Sequence, residues 1–150
     1  MLKGIDSRLN AEVLFALRAM GHGDVLVIAD TNFPSDQVAR STVLGELLRM
    51  DNLTAAEATE AVLSVMPLDT FVDDFAGRME VVDDPLSVPA VQAEVQEAIN
   101  AAEGRERSMV GIERFDFYDR AREAYAVIQT GERRFYGCIM FRKGVIPPEE

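Results

Sequence analysis

The run Val25-Leu26-Val27-Ile28-Ala29 constrains the fold of this chain more than any other feature. Five consecutive apolar residues without alternation predict a strand that is buried on both faces. Such a strand sits inside a sheet, with other elements packed above and below it. Upstream, Asn10 suits a helix N-cap and Glu12 suits the first turn, while Val13, Leu14, Leu17 and Met20 recur at helical spacing. Gly21 is placed to end that helix as a left-handed cap. Downstream, Asp30-Thr31-Asn32-Phe33-Pro34-Ser35 leaves the strand as a turn-rich loop.

The rest of the chain repeats this alternation. Thr42-Val43-Leu44 reads as a short strand. Thr54 and Glu57 form a T-x-x-E capping box ahead of Ala58, Ala61, Val62, Val65 and Met66, and Pro67 ends that helix. Thr70-Phe71-Val72 and Met79-Glu80-Val81-Val82 are strand candidates, and Val91, Val95, Ala98 and Ile99 mark a helix that gives way to a loop from Gly104 to Arg107. Met109 to Ile112 reads as a strand and Phe117 to Ala124 as a short helix. Tyr125 to Gln129 and Phe135 to Phe141 read as two further strands, with Thr130 to Arg134 compact enough for a hairpin turn. Helices alternating with strands, closed by an antiparallel pair, predict an α/β fold with a sheet of mixed direction covered on both faces. A length of 150 residues with no linker or repeat fits a single domain spanning residues 1–150.

Composition removes whole classes of function. At 48% apolar and 27% charged, the chain is expected to fold rather than remain disordered. A formal charge of −11 argues against a nucleic-acid partner, whose phosphates require a basic face. One Cys and one His leave no disulfide framework, no Cys-rich zinc site and no HExxH site, and a Ser-His-Asp triad would need that same His. The acidic pairs Asp73-Asp74 and Asp83-Asp84 read as solvated turns, so no metal is assigned. No apolar run is long enough for a membrane span, and Met1 to Asp6 has no apolar signal core. A cytoplasmic enzyme or binding protein is expected.

Two readings stay open for most candidate site residues. His22, between Gly21 and Gly23, is either a general acid/base with room for a ligand beside it or a loop histidine at a helix end. Asp30, at the carboxyl end of the buried strand, is either a ligand-binding carboxylate, one that could also fix the imidazole tautomer, or a turn residue bonded to its own backbone. Arg114 offers planar donors to vicinal hydroxyls, or an ion pair to Glu113 or Asp116. Tyr118 and Tyr136 offer aromatic faces and hydroxyls, or core packing. Cys138, in an apolar stretch, reads as a small buried hydrophobe rather than a nucleophile.

Taken together, these segments resemble the fucose mutarotase and ribose pyranase family of sugar anomer-interconverting proteins. The likeness runs through Leu2-Lys3-Gly4-Ile5, Met20-Gly21-His22-Gly23-Asp24, Asp30-x-Asn32-Phe33-Pro34 and Pro67-Leu68-Asp69-Thr70-Phe71. It continues in Ile112-Glu113-Arg114-Phe115, Phe117-Tyr118-x-Arg120-Ala121, Thr130-Gly131-Glu132, Tyr136-Gly137 and Arg142-Lys143-Gly144-Val145. The resemblance implies a three-layer α/β/α domain with a mixed, mostly parallel sheet, acting as an isomerase on a monosaccharide, with L-fucose favoured and D-ribose the alternative. A non-catalytic sugar-binding module is the alternative of a different class. By the same resemblance His22 is the proton donor, Asp30 and Arg114 bind sugar, and Tyr136, Gly137 and Cys138 form the C-terminal binding segment. It further implies no cofactor and a homodecamer with sites at subunit interfaces. Cys138 stands where the family usually has Asn, which replaces an amide able to donate and accept with a weak thiol.

Overall fold

A computed structural model describes residues 1–149. Six strands form one sheet in the order β2-β5-β1-β6-β3-β4. They are β1 (Val25–Ala29), β2 (Leu48–Met50), β3 (Ala76–Met79), β4 (Val110–Ile112), β5 (Ala126–Thr130) and β6 (Ile139–Arg142). The helices are α1 (Ala11–Ala19), α2 (Ser35–Ala39), α3 (Ala55–Leu63), α4 (Ala90–Glu103) and α5 (Arg114–Arg122). Strand β6 runs antiparallel to both of its neighbours, β1 and β3, while the other pairings are parallel. The sheet is therefore mixed and mostly parallel.

The apolar run behaves as its composition demands. Alternate residues of β1 enter two separate cores, with Leu26 and Ile28 on one face and Val27 and Ala29 on the other. Helices α1, α3 and α4 cover the first face, and α2 and α5 cover the second. The result is a three-layer α/β/α domain. Helix starts follow the expected chemistry: Asn10 accepts from the Val13 N–H at 2.9 Å, and Thr54 and Glu57 form the reciprocal capping box.

The structure corrects several local expectations. Gly21 is not a left-handed cap. Met20 leaves α1 in an extended conformation, and the Lys143 ammonium takes over the carbonyls of Leu17 and Met20, so the positive φ falls instead at Gly23. Thr42-Val43-Leu44 is not a strand, although Val43 and Leu44 donate to the carbonyls of Ala124 and Tyr125; the strand comes later, as β2. The capped helix stops at Leu63 with Ser64 as its C-cap, ahead of Pro67. Thr70-Phe71-Val72 forms no strand, because the Asp69 side chain turns the backbone by accepting from the Phe71 N–H. The strand expected at Met79–Val82 lies upstream as β3, and Val81 pairs only with Asp84 across a tight turn.

The largest correction concerns the C-terminal pair. Strands β5 and β6 are not a hairpin, because β1 lies between them. Residues 131–138 instead cross the end of β1, fastened there by the Thr31 N–H donating to the Glu132 carbonyl at 2.9 Å. Only the last three residues of the apolar stretch, Ile139 to Phe141, pair as β6, with Arg142 following them. Tyr136, expected in a strand, adopts a φ of 65° in the crossing.

Candidate functional site

The crossing builds a cleft at the carboxyl edge of the sheet. Asp30 follows the end of β1, Met79 ends β3, and Arg114 opens α5 just beyond β4. The reversed strand β6 starts at this edge, so Tyr136, Gly137 and Cys138 enter it from the opposite direction. The cleft has a volume of about 240 Å³, and Asp30, Arg114, Tyr118, Tyr136 and Cys138 all line it. A position at the carboxyl ends of strands, where strand direction changes, is where open α/β sheets commonly place ligands.

Asp30 takes the turn role expected of it and also reaches the crossing segment. One carboxylate oxygen accepts from the N–H groups of Asn32 and Phe33 at 2.9 and 3.0 Å, which is the turn role. The other accepts from the Gly137 N–H at 3.1 Å and so joins the crossing to β1. The residue is buried yet still faces the cleft. Gly137 is required by this approach, since a Cβ there would stand 2.8 Å from Glu132 Cγ and 3.3 Å from Asp30 Cβ.

Arg114 escapes the ion pair expected on a surface this acidic. Asp116 pairs with Arg120 at 2.9 Å, and the Glu113 carboxylate caps α5 by accepting from the N–H groups of Phe115 and Asp116. Its guanidinium lies 5.7 Å from the Tyr118 ring centroid, and Tyr118 is the main influence holding it in the charged form. Tyr118 in turn stacks on Phe33 with centroids 5.1 Å apart, so it belongs to the site and the core at once. The Tyr136 hydroxyl accepts from the Val82 N–H at 3.2 Å. Its carbonyl accepts from Gln92, which also holds the Met79 carbonyl. Cys138 is buried, and burial, with Asp30 next in weight, raises its thiol pKa well above the usual value. A thiol kept protonated in this way is no nucleophile.

His22 is not in this cleft. It precedes β1, whereas Asp30 follows it, and five strand residues at ~3.3 Å each interpose about 17 Å. Asp30 therefore does not fix the imidazole tautomer. That partner is Asp69, which sequence reasoning passed over as an individual residue although it lies in the Pro67–Phe71 motif. His22 Nε2 stands 3.2 Å from the Asp69 carboxylate, and the Phe71 ring meets the imidazole edge-on with centroids 5.4 Å apart. Asp69 is 3% exposed. The Phe71 N–H and then His22 lower its pKa below the ordinary carboxylate value, so it is held as an anion. The sequence signal that could have found it is an aspartate two residues before an exposed phenylalanine. The acidic pairs Asp73-Asp74 and Asp83-Asp84 are exposed, in or beside turns, as expected.

The chain thus carries two separate clusters, a polar and aromatic cleft at one edge of the sheet and a buried-carboxylate–imidazole pair at the other. No helix is long and apolar enough to cross a membrane among the described residues.

Comparison with known proteins agrees on one family. Residues 3–146 match the RbsD / FucU transport protein family. Fucose mutarotase from Danio rerio is 42% identical over 154 aligned residues, covering 100% of this chain and 97% of that protein. The crystal structure of protein Atu2016 is 61% identical with a TM-score of 0.96, over 98% of this chain and 97% of the other. The fucose mutarotase of Streptococcus pneumoniae, solved in complex with L-fucose, is 34% identical with a TM-score of 0.86, over 97% of this chain and 100% of that one. With a match this complete along its length, the chain belongs to the RbsD / FucU family.

Proposed function

We propose that this protein is an L-fucose mutarotase, an isomerase that interconverts the α and β anomers of the free sugar. The observation that carries the reading is the cleft itself. It offers an anchored carboxylate, a guanidinium unclaimed by Glu113 or Asp116 and two tyrosines, a set suited to holding several hydroxyls and one apolar sugar face. The one thiol in it is held protonated. The full-length relationship to fucose mutarotases supports L-fucose as the sugar.

Mutarotation needs proton exchange and nothing more. The ring oxygen gains a proton as the anomeric hydroxyl loses one, the bond from C1 to the ring oxygen breaks, and an open-chain aldehyde forms. Rotation about C1–C2 and reclosure then deliver the other anomer. In this reading Asp30, Arg114, Tyr136 and the backbone at Gly137 and Cys138 hold the hydroxyls that do not react, so that binding energy favours the opening ring. Tyr118 supplies an aromatic face. His22 exchanges the proton, with Asp69 orienting the imidazole.

The separation of His22 from the cleft leads to the assembly. One copy cannot bring both half-sites to one sugar, so His22 of a second copy completes the cleft, and the working form is a homo-oligomer with sites between subunits. The proposal includes the decameric ring expected from the family resemblance and a cytoplasmic location, which suits an enzyme whose buried thiol stays reduced.

The test is saturation-transfer NMR on L-fucose at equilibrium, irradiating one anomeric proton. Wild type transfers saturation to the other anomer, and His22→Ala loses exchange by on the order of 10²–10⁴-fold with its fold intact. Wild-type turnover in His22→Ala removes His22 from the mechanism. Transfer with D-ribose but not with L-fucose reassigns the sugar, and silence across a sugar panel refutes mutarotase activity.

A further inference from the structure

Arg107 lies outside the cleft and has no part in the mechanism above, yet its environment is too constrained for a surface charge. It stands in the loop after α4, and its side chain is only 8% exposed. Nη2 donates to the Asp69 carbonyl at 2.7 Å, and the guanidinium carbon lies 3.7 Å from the Phe75 ring centroid. Nη1 is fixed by Glu103 at 3.1 Å. A single planar group therefore grips both ends of the segment 69–75. That segment carries Asp69 and Phe71, the two side chains that meet His22.

The loop that presents Arg107 is itself pinned to α4. Asn100 Oδ1 accepts from the Arg107 N–H at 3.0 Å, Gln96 Nε2 donates to the Arg107 carbonyl at 2.6 Å, and Gln96 Oε1 accepts from the Met109 N–H at 2.8 Å. The chain of fixed contacts thus runs from α4 through Arg107 to Asp69 and on to the imidazole. Only a guanidinium can stack on Phe75 and donate in two directions at once; a lysine ammonium keeps the charge but not that geometry.

We propose that Arg107 is a positioning residue for anomer exchange: by bracing both ends of segment 69–75 it fixes the Asp69 carboxylate against His22. This rests on the assignment of His22 as the proton exchanger. Arg107 touches neither the cleft nor the imidazole, so its effect passes through Asp69.

The experiment compares Arg107→Met and Arg107→Lys in the wild-type and Asp69→Asn backgrounds. It reads kcat and KM for L-fucose exchange, the melting temperature, and the ring-proton NMR signals of the chain's single histidine. Misplacing a catalytic partner by about 1 Å costs on the order of 10²-fold, so Arg107→Met is expected to lower kcat by roughly 10- to 10²-fold. KM stays within about twofold because the sugar anchors are untouched. The imidazole signals move. In the Asp69→Asn background the same change removes nothing further from kcat, as expected for residues acting as one unit. Arg107→Lys, retaining the charge, recovers melting temperature but not kcat; it also supplies the reading if Arg107→Met does not fold.

Unchanged kcat with unmoved imidazole signals overturns the proposal, as do equal losses in both backgrounds. If wild type exchanges no sugar, the functional reading has failed. The imidazole signals, which need no turnover, then decide on their own whether Arg107 sets the contact between Asp69 and His22.

Discussion

Glu132 is buried where residues 131–138 cross β1, and its replacement by glutamine is a quantitative test of how that crossing is held. One carboxylate oxygen accepts from the Arg134 N–H and from Arg134 Nε at 3.0 and 2.9 Å. The other accepts from Arg134 Nη2 at 3.0 Å and from the Ala55 N–H at 3.3 Å, at the start of α3. These donors, Arg134 foremost, lower the Glu132 pKa from 4.5 to about 2. A group depressed in the folded state stabilises it above its unfolded pKa, and that stability is lost as pH falls through the folded value. At about 1.36 kcal/mol per unit the shift corresponds to roughly 3 kcal/mol at neutral pH. The Arg134 side chain is 43% exposed, so solvent screening reduces this to about 2 kcal/mol. Glu132→Gln also turns an NH2 toward N–H donors. Chemical denaturation at matched protomer concentration should show a deficit of about 2 kcal/mol near neutral pH, or a melting point lower by roughly 4–8 °C. The deficit should fall below half by about pH 3, be small near pH 2, where the wild-type carboxyl is half protonated, and vanish below it. A deficit that is the same at both ends of this range refutes the electrostatic account.

Gly137→Ala places a Cβ against Glu132 and Asp30, an overpacking cost of about 1–3 kcal/mol; thermal melting should fall and L-fucose affinity, read by calorimetric titration, should weaken with it. Unchanged affinity would mean that the backbone at Gly137 does not set the cleft. Asp30→Asn leaves one of the three backbone N–H groups now bonded to Asp30 facing an amide donor, and is expected to weaken sugar binding chiefly. Co-assembling His22→Ala and Asp30→Asn copies should raise exchange above that of either homogeneous protein, because some interfaces then join an intact imidazole to an intact cleft. Failure of mixed assemblies to recover any exchange counts against a site shared between copies.

The layers of the fold were legible because burial leaves its mark on each residue's chemistry. Continuous apolar residues in β1 and capping residues at Asn10 and Thr54 identify themselves locally. Strand adjacency does not. The stretch from Tyr125 to Phe141 reads as a hairpin because its middle is short and polar, yet β1 takes the place between the two strands. Nothing local distinguishes a turn from a crossing; the decisive bond, Thr31 to Glu132, joins residues a hundred positions apart in sequence. The same limit applied to the candidate site. Asp30, Arg114, Tyr118, Tyr136 and Cys138 converge on one cleft, with Gly137 packed behind Asp30. The partner of His22 depended on Leu68 bridging Lys143, which brings the start of segment 69–75 to the end of β1 where His22 lies.

The rigidity of β1 gives the proposed mechanism its logic. The strand is paired on both sides and buried in two cores, so no fluctuation short of unfolding shortens the distance between its ends. In the proposed mechanism sugar affinity resides in one copy and proton exchange in another, and an isolated subunit is expected to bind sugar without exchanging it. On that mechanism the two functional classes that the sequence leaves open would correspond to two assembly states of one protein. Exchange is then expected when an imidazole oriented by Asp69 is delivered to a sugar held by Asp30 and Arg114, and the proposed assembly interface would carry the catalytic alignment that a single chain of this topology cannot provide.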